Sequence, residues 1–449
     1  MRSNPPRHDR FAALALVLVA VFGLCLGRAH AVPAFGAQTG QTCQGCHIGG
    51  FGPQLTPYGR AFKLGGYTQR AGKWNIPLSA MAIGSYTRTR ADQNPPPTPD
   101  YASNDNTTLD QVSLFLAGGV GSHFGGFVQV TYDGVNRIRT WDNLDLRAVT
   151  TATVLGKDAV FGLSLNNSPG VQDVWNTLPA WGYPYTGSAL APSPATRPLF
   201  AGGLAQNTIG LTGYAWIDSK IYIEGGGYRS PARSTLQSFG VDPFAQGDIN
   251  GIAPYGRIAY QKSFGTQNIE VGAFLLRAAL FPGRDRSTGR TDQFTDTGVD
   301  ASWQKVRANS DTVTLNARYT HEAQLLNASY ALGNAGNVHN QLDDERADIT
   351  YYFHNRYGGT VGMFNTSGTA DPLLYGGSRT FSPDSTGFLF QLDATLFGGD
   401  TPLGKRFNAR TGVQYTAYTR FDGAASNYDG AGANASANNT ARIFLWLAY

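Results

Sequence analysis

The chain has few cysteines, few charges and only one long apolar run, and the shortages of cysteine and of apolar runs each exclude a class of protein. Cysteine occurs three times in 449 residues. Because Cys25 lies in the apolar opening segment, only Cys43 and Cys46 remain for the folded protein, which excludes a disulfide framework. Charged residues make up 15% of the chain. Beyond the opening segment no stretch reaches the roughly 18 apolar residues of a membrane-spanning helix, so a helical membrane protein is excluded.

The opening segment has the features of an export signal. Three arginines within the first ten residues precede an apolar run at 11–26, and an Ala-His-Ala sequence ending at Ala31 supplies a small-residue cleavage site. We therefore expect residues 1–31 to be removed. Their loss lowers the net charge from +4 to about +1. The mature chain then has no basic excess, and nothing indicates a nucleic-acid partner.

The remaining sequence is rich in glycine and alternates with a period of two. Glycine occurs 56 times, about 12% of the chain against a usual value of about 7%. In 312–325, apolar residues such as Val313 and Leu315 alternate with polar residues such as Thr314 and Asn316. This pattern is typical of a transmembrane barrel with an apolar outside and a polar lumen. A secreted sandwich or solenoid would also alternate.

The spacing of turns favours the barrel. Short connections alternate with long ones, as in outer-membrane barrels. The short connections are 121–123, 156–158, 218–219, 263–267 and 355–358, and the long ones are 91–108, 167–206, 230–251, 281–296, 368–384 and 422–439. The chain also stops within an alternating strand that ends on an aromatic residue, Tyr449, which resembles the recognition signal of the barrel-assembly machinery.

We expect an all-β fold, a transmembrane antiparallel β-barrel of about 16 strands over residues 76–449. A first count of segments gives seventeen, and an odd number would put the two ends of the barrel on opposite sides of the membrane. Treating Asp311–Leu332 as one long strand with a bulge at Leu325-Leu326 reduces the count to sixteen. Every long loop then falls on one side.

The two remaining cysteines lie in the sequence Cys43-Gln-Gly-Cys46-His47, the attachment pattern of c-type haem. On one helical turn, residues three and four apart share a face, so two thioethers and the imidazole reach one porphyrin. Other interpretations explain less. A structural zinc site needs four ligands, a thioredoxin-like dithiol needs a βαβ context, and a plain disulfide leaves His47 unexplained.

The haem segment, residues 32–75, is too small to bury a haem alone. We expect the following domain or a partner to enclose it, with the segment, partly helical, plugging the periplasmic mouth of the barrel. Four basic residues, Arg60, Lys63, Arg70 and Lys73, lie close together in it. They either pair with haem propionates or an acidic redox partner, or form a solvated basic face.

An export signal, one haem motif and then a barrel make up an order that resembles the fused outer-membrane monohaem cytochrome–porin family associated with Fe(II) oxidation. The specific residues lie in 35–40, 50–60 and 62–67, and looser similarity continues at 319–322 and 346–348. The resemblance implies one covalent haem c in the bacterial outer membrane, on the periplasmic side or in the lumen.

In function, the resemblance implies that single electrons pass between an extracellular donor, most simply Fe(II), and a periplasmic c-type cytochrome. Outer-membrane lipid would surround the wall. Whether the chain is an iron oxidase in the enzymatic sense stays open, and we assign no catalytic residue. Two alternatives also stay open: a porin-type solute channel with a haem-bearing gate, and electron export to extracellular acceptors.

The carried-over haem residues are Cys43, Cys46 and His47, and the second axial ligand is predicted from strand phase. Met81 lies at the start of the first strand and on the face that should point into the lumen. This is the periplasmic end, where the haem segment enters. His354 is the second candidate, near a periplasmic turn, and the third possibility is a weak or absent sixth ligand. Met363 has the phase of a lipid-facing residue.

Three carboxylates have lumen phase and would attract Fe(II): Glu224, Glu322 and Asp348. The simpler interpretation, which we prefer, is a polar lumen lining whose charges are balanced by Lys220, Arg318 and Arg346.

Overall fold

A computed structural model describes residues 34–72, 77–397 and 407–449, which contain seventeen strands and five α-helices. The strands are β1 (Leu78–Thr89), β2 (Asn106–Val120), β3 (Phe124–Asp133), β4 (Ile138–Val154), β5 (Lys157–Asn166), β6 (Ile209–Ile217), β7 (Ile221–Arg229), β8 (Asp248–Ile249), β9 (Ala253–Phe264), β10 (Gln267–Phe281), β11 (Asp292–Val306), β12 (Thr312–Leu325), β13 (His339–Phe353), β14 (Tyr357–Gly368), β15 (Ser385–Thr395), β16 (Asn408–Arg420) and β17 (Thr440–Ala448). The helices are α1 (Ala34–Thr39), α2 (Cys43–Cys46), α3 (Pro57–Leu64), α4 (Arg233–Ser238) and α5 (Asn327–Ala331). The predicted signal residues 1–31 and the predicted boundary at 75/76 lie outside the described residues.

The strands form one closed antiparallel barrel. β1 pairs with β2 on one side and with the last strand, β17, on the other, so that Met81 stands opposite both Ser113 and Ala448. The two-residue strand β8 pairs with the end of β10 beyond β9 and adds no strand to the wall. The wall therefore has sixteen strands, which confirms the predicted fold class.

The two ends of the barrel differ in the length of their connections. Tight turns, such as those around Gly121, Gly156 and Gly265, lie at the end where β1 begins and β17 finishes. The long connections lie at the opposite end, as predicted. Because outer-membrane barrels have short periplasmic turns and long external loops, the end with tight turns is the periplasmic rim.

The predicted long strand at Asp311–Leu332 is wrong. β12 ends at Leu325 without a bulge, and the chain turns into α5 within an external loop. The cause is Asp292 on the neighbouring β11, whose Oδ1 accepts hydrogen bonds from the backbone N–H groups of Ala328 (2.8 Å) and Ser329 (3.0 Å). These contacts satisfy the first N–H groups of the short helix and end the strand. The count of sixteen still holds.

The wall separates an apolar outside from a polar inside. Alternate side chains that point outward are large and exposed, among them Leu114, Val271 and Val361. Their neighbours that point inward include buried Thr, Asn, Asp, Glu and Arg side chains. This is the architecture of a barrel in the bacterial outer membrane. Within the described residues no helix has both the length and the apolar character to cross a membrane.

Two segments fill the lumen from opposite ends. Residues 34–72, which we call the plug, occupy the periplasmic mouth of the barrel, with Gly49 against the inner wall and Arg70 at the rim. The external connection between β5 and β6, residues 167–208, folds inward to meet the plug. The two segments touch where Asn176 accepts a hydrogen bond from the N–H of Leu55 (3.1 Å) and donates one to the carbonyl oxygen of Pro53 (3.0 Å).

Candidate functional site

The haem motif forms one helical turn followed by an extended residue. Cys43 and Cys46 are the first and last residues of α2, and the N–H of His47 donates to the carbonyl oxygen of Cys43 at 2.9 Å. His47 is extended (φ −122°, ψ 141°) and forms an isolated antiparallel bridge with Leu55. The two cysteines therefore share one turn, as predicted. His47 lies at the C-cap, where the chain leaves the helix.

Helix α3 fixes the motif from the other side of this bridge. The Thr56 N–H donates to the carbonyl oxygen of Cys46 (2.9 Å), and the Thr56 hydroxyl donates to that of Gly45 (2.7 Å). The same hydroxyl oxygen caps α3 by accepting from Gly59 N–H (3.2 Å). A Cβ at Gly59 would overlap the Cys46 carbonyl. The local sequence, a Thr cap followed by Pro57 at the first helical position, is a helix-start signal.

The chemistry of these donors fits a covalently attached haem. Both thiols are free, Cys46 is buried and Cys43 half-buried, and burial raises the pKa of each to about 11. Burial, helped by the nearby Arg410, lowers the pKa of His47 to about 4. Its imidazole is therefore neutral at physiological pH, the form that binds metals. His47 Nδ1 lies out of reach of solvent and has no hydrogen-bond partner.

The barrel wall holds the loop after the motif by its backbone. On the turn between β13 and β14, Asn355 donates from Nδ2 to the carbonyl oxygen of His47 (3.0 Å), and its Oδ1 accepts from Gly49 N–H (2.5 Å). On β15, the Thr395 hydroxyl donates to the carbonyl oxygen of Gly49 (2.5 Å). Neither residue was predicted from the sequence, because a backbone carbonyl group as a partner leaves no pattern in the sequence.

Arg410 on β16 is the central contact of this loop. It is buried, and its Nη2 donates to the carbonyl oxygens of Gly49 (2.5 Å) and Phe51. The guanidinium lies 5.0 Å from the ring centre of Phe51 and 5.6 Å from that of Trp446. Its charge is balanced by Asp393 at 3.6 Å. Arg410 therefore joins the plug to three strands of the wall, β15, β16 and β17.

The basic residues of the plug have different roles. Lys63 is buried, and its Nζ donates to the carbonyl oxygens of Val171 and Asp173, both at 2.7 Å. Arg60 is also buried, and its Nη1 donates to Gln304 Oε1 (3.1 Å) while Nη2 has no partner. Their burial excludes a solvated face for these two, and Arg60 has a donor free for a propionate. Arg70 lies at the rim, and Lys73 falls outside the described residues.

The two candidates for a sixth ligand occupy different environments. Met81 faces inward on β1, and it packs on the same apolar cluster as Cys43, together with Phe51 and Trp446. His354 is exposed on the periplasmic turn, where its Nδ1 lies 2.9 Å from the carbonyl oxygen of Asn309. The predicted lumen position of His354 is therefore wrong, because β13 ends one residue earlier. Met81 stays a prediction.

The structure confirms the predicted orientation of Met363. Its side chain is 43% exposed on the outside of β14, as predicted for a lipid-facing residue.

All three predicted carboxylates face inward, but their partners differ from those expected. Glu224 accepts from the Tyr222 hydroxyl (2.9 Å), and Glu322 accepts from the N–H of Leu199 in the inward loop (2.5 Å). Asp348 has one long hydrogen bond, from Asn316 Nδ2 at 3.4 Å. It borders a cavity of about 170 Å³ between the wall and the inward loop, lined also by Tyr183, Pro194, Arg346 and Tyr418.

The predicted counter-ions are partly wrong. Lys220 lies on an exposed turn and pairs with Asp218 (2.7 Å). Arg318 and Arg346 do face the lumen, but both pair with Asp344, at 2.9 and 2.8 Å. The lumen lining is thus neutralised by local pairs, in which the predicted Arg318 and Arg346 take part and Lys220 does not.

Comparison with solved structures finds other bacterial outer-membrane proteins. OprB of Pseudomonas putida, in a structure determined at high pH, matches with a TM-score of 0.49 and 12% identity over 83% of this chain and 94% of that chain. An anion-selective porin of Comamonas acidovorans matches with 0.45 and 10% over 83% and 98%. In-vitro folded OmpT of Vibrio cholerae matches with 0.41 and 9% over 83% and 96%. No protein-family profile and no curated protein sequence matches. In each structure the likeness is one of fold.

Proposed function

We propose that this protein is an outer-membrane electron conduit that carries one covalent haem c. Cys43 and Cys46 would form the two thioethers, and His47 would be the proximal ligand. The bound haem supplies a centre that accepts and gives up one electron at a time. The donor would be extracellular, most simply Fe(II), and the acceptor a periplasmic c-type cytochrome. One observation carries the proposal: two free thiols on one helical turn and, at its C-cap, an imidazole with an unpartnered nitrogen lie inside a membrane barrel.

In this proposal the residues around the motif hold the redox centre in place and do not themselves react. The apolar layer of a membrane is about 30 Å thick, so a redox centre left in the periplasm would be remote from an external donor. Arg410 and Asn355 bind the loop after the motif to the wall and keep the site inside the lumen. Met81, on the cluster shared with Cys43, is the residue we propose as the distal ligand.

A porin-type solute channel with a haem-bearing gate is the second candidate. The sixteen-strand wall with long external loops favours it, because sixteen strands enclose a lumen wide enough for water. The contacts of the plug argue against free diffusion. Opening would break the hydrogen bonds of Gly49 and Lys63 with the wall and the inward loop, which are buried. Electron export would use the same geometry in reverse.

The first experiment asks whether haem is attached. The full chain is produced in a bacterium that matures c-type cytochromes, and the protein is separated on a denaturing gel and stained for haem. We expect a stained band for the natural chain and none for the Cys43→Ser, Cys46→Ser double variant, with both barrels folded. A colourless natural chain would reject the conduit.

The second experiment separates conduit from channel. Fe(II) is added to intact cells and haem reduction is followed by absorption, while purified protein in liposomes is tested for sugar flux. The conduit predicts haem reduction from outside and little flux. Flux without dependence of haem reduction on the external donor would favour the channel.

A further inference from the structure

A long apolar groove of about 730 Å³ lies on the outside of the wall over strands β2 to β6. Its floor contains Gly118 and Gly126, which stand directly opposite each other in the β2–β3 register and carry no side chains. Its volume falls within the range of small-molecule binding sites. The groove is bordered by Leu116, Val120, Phe124, Val128, Leu146, Leu163, Leu165 and Leu211.

One end of the groove carries a cation. Arg70 lines it together with Gly119 and Val120, the residues that end β2 at the periplasmic rim. Arg70 is half-buried, and its Nε lies out of reach of solvent without a hydrogen-bond partner. Among the ion pairs of the described residues none involves Arg70. Arg70 is therefore a cation without a counter-ion among the described residues, at the periplasmic end of the groove.

The position of Arg70 is fixed from both sides by Gln38. The Gln38 amide Nε2 donates to the carbonyl oxygens of Tyr67 (2.6 Å) and Gln69 (2.8 Å), and the Ala71 N–H donates to the Gln38 backbone oxygen (3.0 Å). Gln38 Oε1 in turn accepts from the Gly119 N–H at 2.8 Å. The backbone on either side of Arg70 is thus tied to α1 and to the wall.

We propose that this groove binds one phospholipid of the periplasmic leaflet, with the phosphate on Arg70 and an acyl chain in the groove. Arginine suits a phosphate because its planar donors match the phosphate oxygens in geometry and charge. The apolar borders suit a hydrocarbon chain and offer little to a polar ligand.

The test compares two charge-removing variants in detergent-purified protein. Phosphatidylglycerol is titrated, and bound lipid is counted by native mass spectrometry. Arg70→Gln should weaken binding of the tightest lipid about fivefold, since one basic residue near a lipid surface has roughly that effect. Lys262→Gln is the matched control, because Lys262 is exposed on the outside of β9 near the same rim but away from the groove. It should leave binding unchanged.

A second variant tests the groove itself. Ala148 lines the groove opposite Phe124, and Ala148→Phe places a ring in it without changing the lumen. We expect this variant to lose the tightly bound lipid while Arg70 is intact. The proposal is overturned if Arg70→Gln and Lys262→Gln bind lipid alike. It is also overturned if Ala148→Phe changes the oligomeric state and leaves lipid binding as it was. Neither arm depends on whether haem is attached.

Discussion

Asn355 donates a hydrogen bond from its side-chain nitrogen to the carbonyl oxygen of His47, 3.0 Å away and 308 residues earlier in the chain. The same side chain accepts from the Gly49 N–H, so one amide satisfies two backbone groups of the plug. The turn that carries Asn355 is one of the tight periplasmic turns. A turn of the wall therefore sets the position of the haem motif.

Replacing Asn355 with alanine should loosen the plug while the barrel stays intact. The backbone groups of His47 and Gly49 would lose their partner in a buried setting, which costs about 1–3 kcal/mol. We expect faster hydrogen exchange in residues 44–55, measured by mass spectrometry, with unchanged exchange in the strands. Asn136→Ala, on an exposed external turn, is the control. Equal protection of the plug in both variants would contradict this role.

Replacing Arg410 with glutamine should cost more. It would leave Asp393 without its cation and the carbonyl oxygens of Gly49 and Phe51 without their donor, and breaking such a buried pair costs about 3–5 kcal/mol. We expect a clear drop in the midpoint of thermal unfolding. Arg420→Gln on the same strand removes an exposed pair with Asp384 and should change the midpoint little. Equal midpoints for the two variants would refute this role of Arg410.

The wall was predictable from the sequence because its cause is local. Alternation along each strand, as in 312–325, reflects lipid on one side and water on the other. The lengths of the connections distinguished the periplasmic rim from the external rim. The spacing of Cys43 and Cys46 predicted the helical turn. The strand was predicted to continue beyond Leu325, and this was wrong because of a residue outside the segment. Asp292, on the neighbouring strand, accepts hydrogen bonds from the N–H groups of Ala328 and Ser329.

The docking of the plug could not be predicted, because its hydrogen-bond partners also lie far away in the sequence. Asn355, Thr395 and Arg410 bind backbone carbonyl and N–H groups, which every residue has. No residue type at positions 47–51 marks those partners. His354 and Asn355 illustrate the limit, since adjacent positions on one turn point to opposite environments, and strand phase stops where the strand ends.

Two methionines on opposite faces of the wall provide a test of the predicted sixth ligand. Met81 faces the lumen beside the cluster that holds Cys43, and Met363 faces lipid. If Met81 is a ligand, Met81→Leu should change the absorption spectrum of the oxidised protein toward a high-spin haem, whereas Met363→Leu should not. An unchanged spectrum in Met81→Leu would leave a weak or absent sixth ligand as the answer.

The buried lysine of the plug predicts a pH dependence of docking. Burial, aided by Arg147, lowers the pKa of Lys63 to about 7, against the opposing effect of Asp145, Asp173 and Glu224. An undocked lysine has a pKa of about 10.4. Between these two values the undocked state binds a proton that the docked state lacks, so docking becomes more stable as the pH rises from about 7 to about 10.

The measurement is hydrogen-exchange protection of residues 57–64 as a function of pH, corrected for the intrinsic exchange rate. Lys63→Met should remove the rise in stability, because the titrating group is gone. Lys262→Met, exposed on β9, should keep it. A rise that persists in Lys63→Met would assign it to another group.

The plug packs directly against the β2–β3 hairpin. Gly119 and Gly125 stand opposite each other there, and the carbonyl oxygens of Tyr67 and Gly66 pass where their side chains would be. A Cβ at Gly125 would overlap the Gly66 oxygen, so Gly125→Ala must push the plug from the wall at a cost of about 1–3 kcal/mol.

We expect Gly125→Ala to raise sugar flux in the liposome swelling assay above that of the natural protein. Gly225→Ala is the control, because a Cβ at Gly225 meets only an ordinary contact with Tyr255. If the plug closes the lumen, sugar flux should rise in Gly125→Ala and not in Gly225→Ala. Flux that is already high in the natural protein and unchanged by Gly125→Ala would mean that solutes pass beside a plug that does not close the lumen.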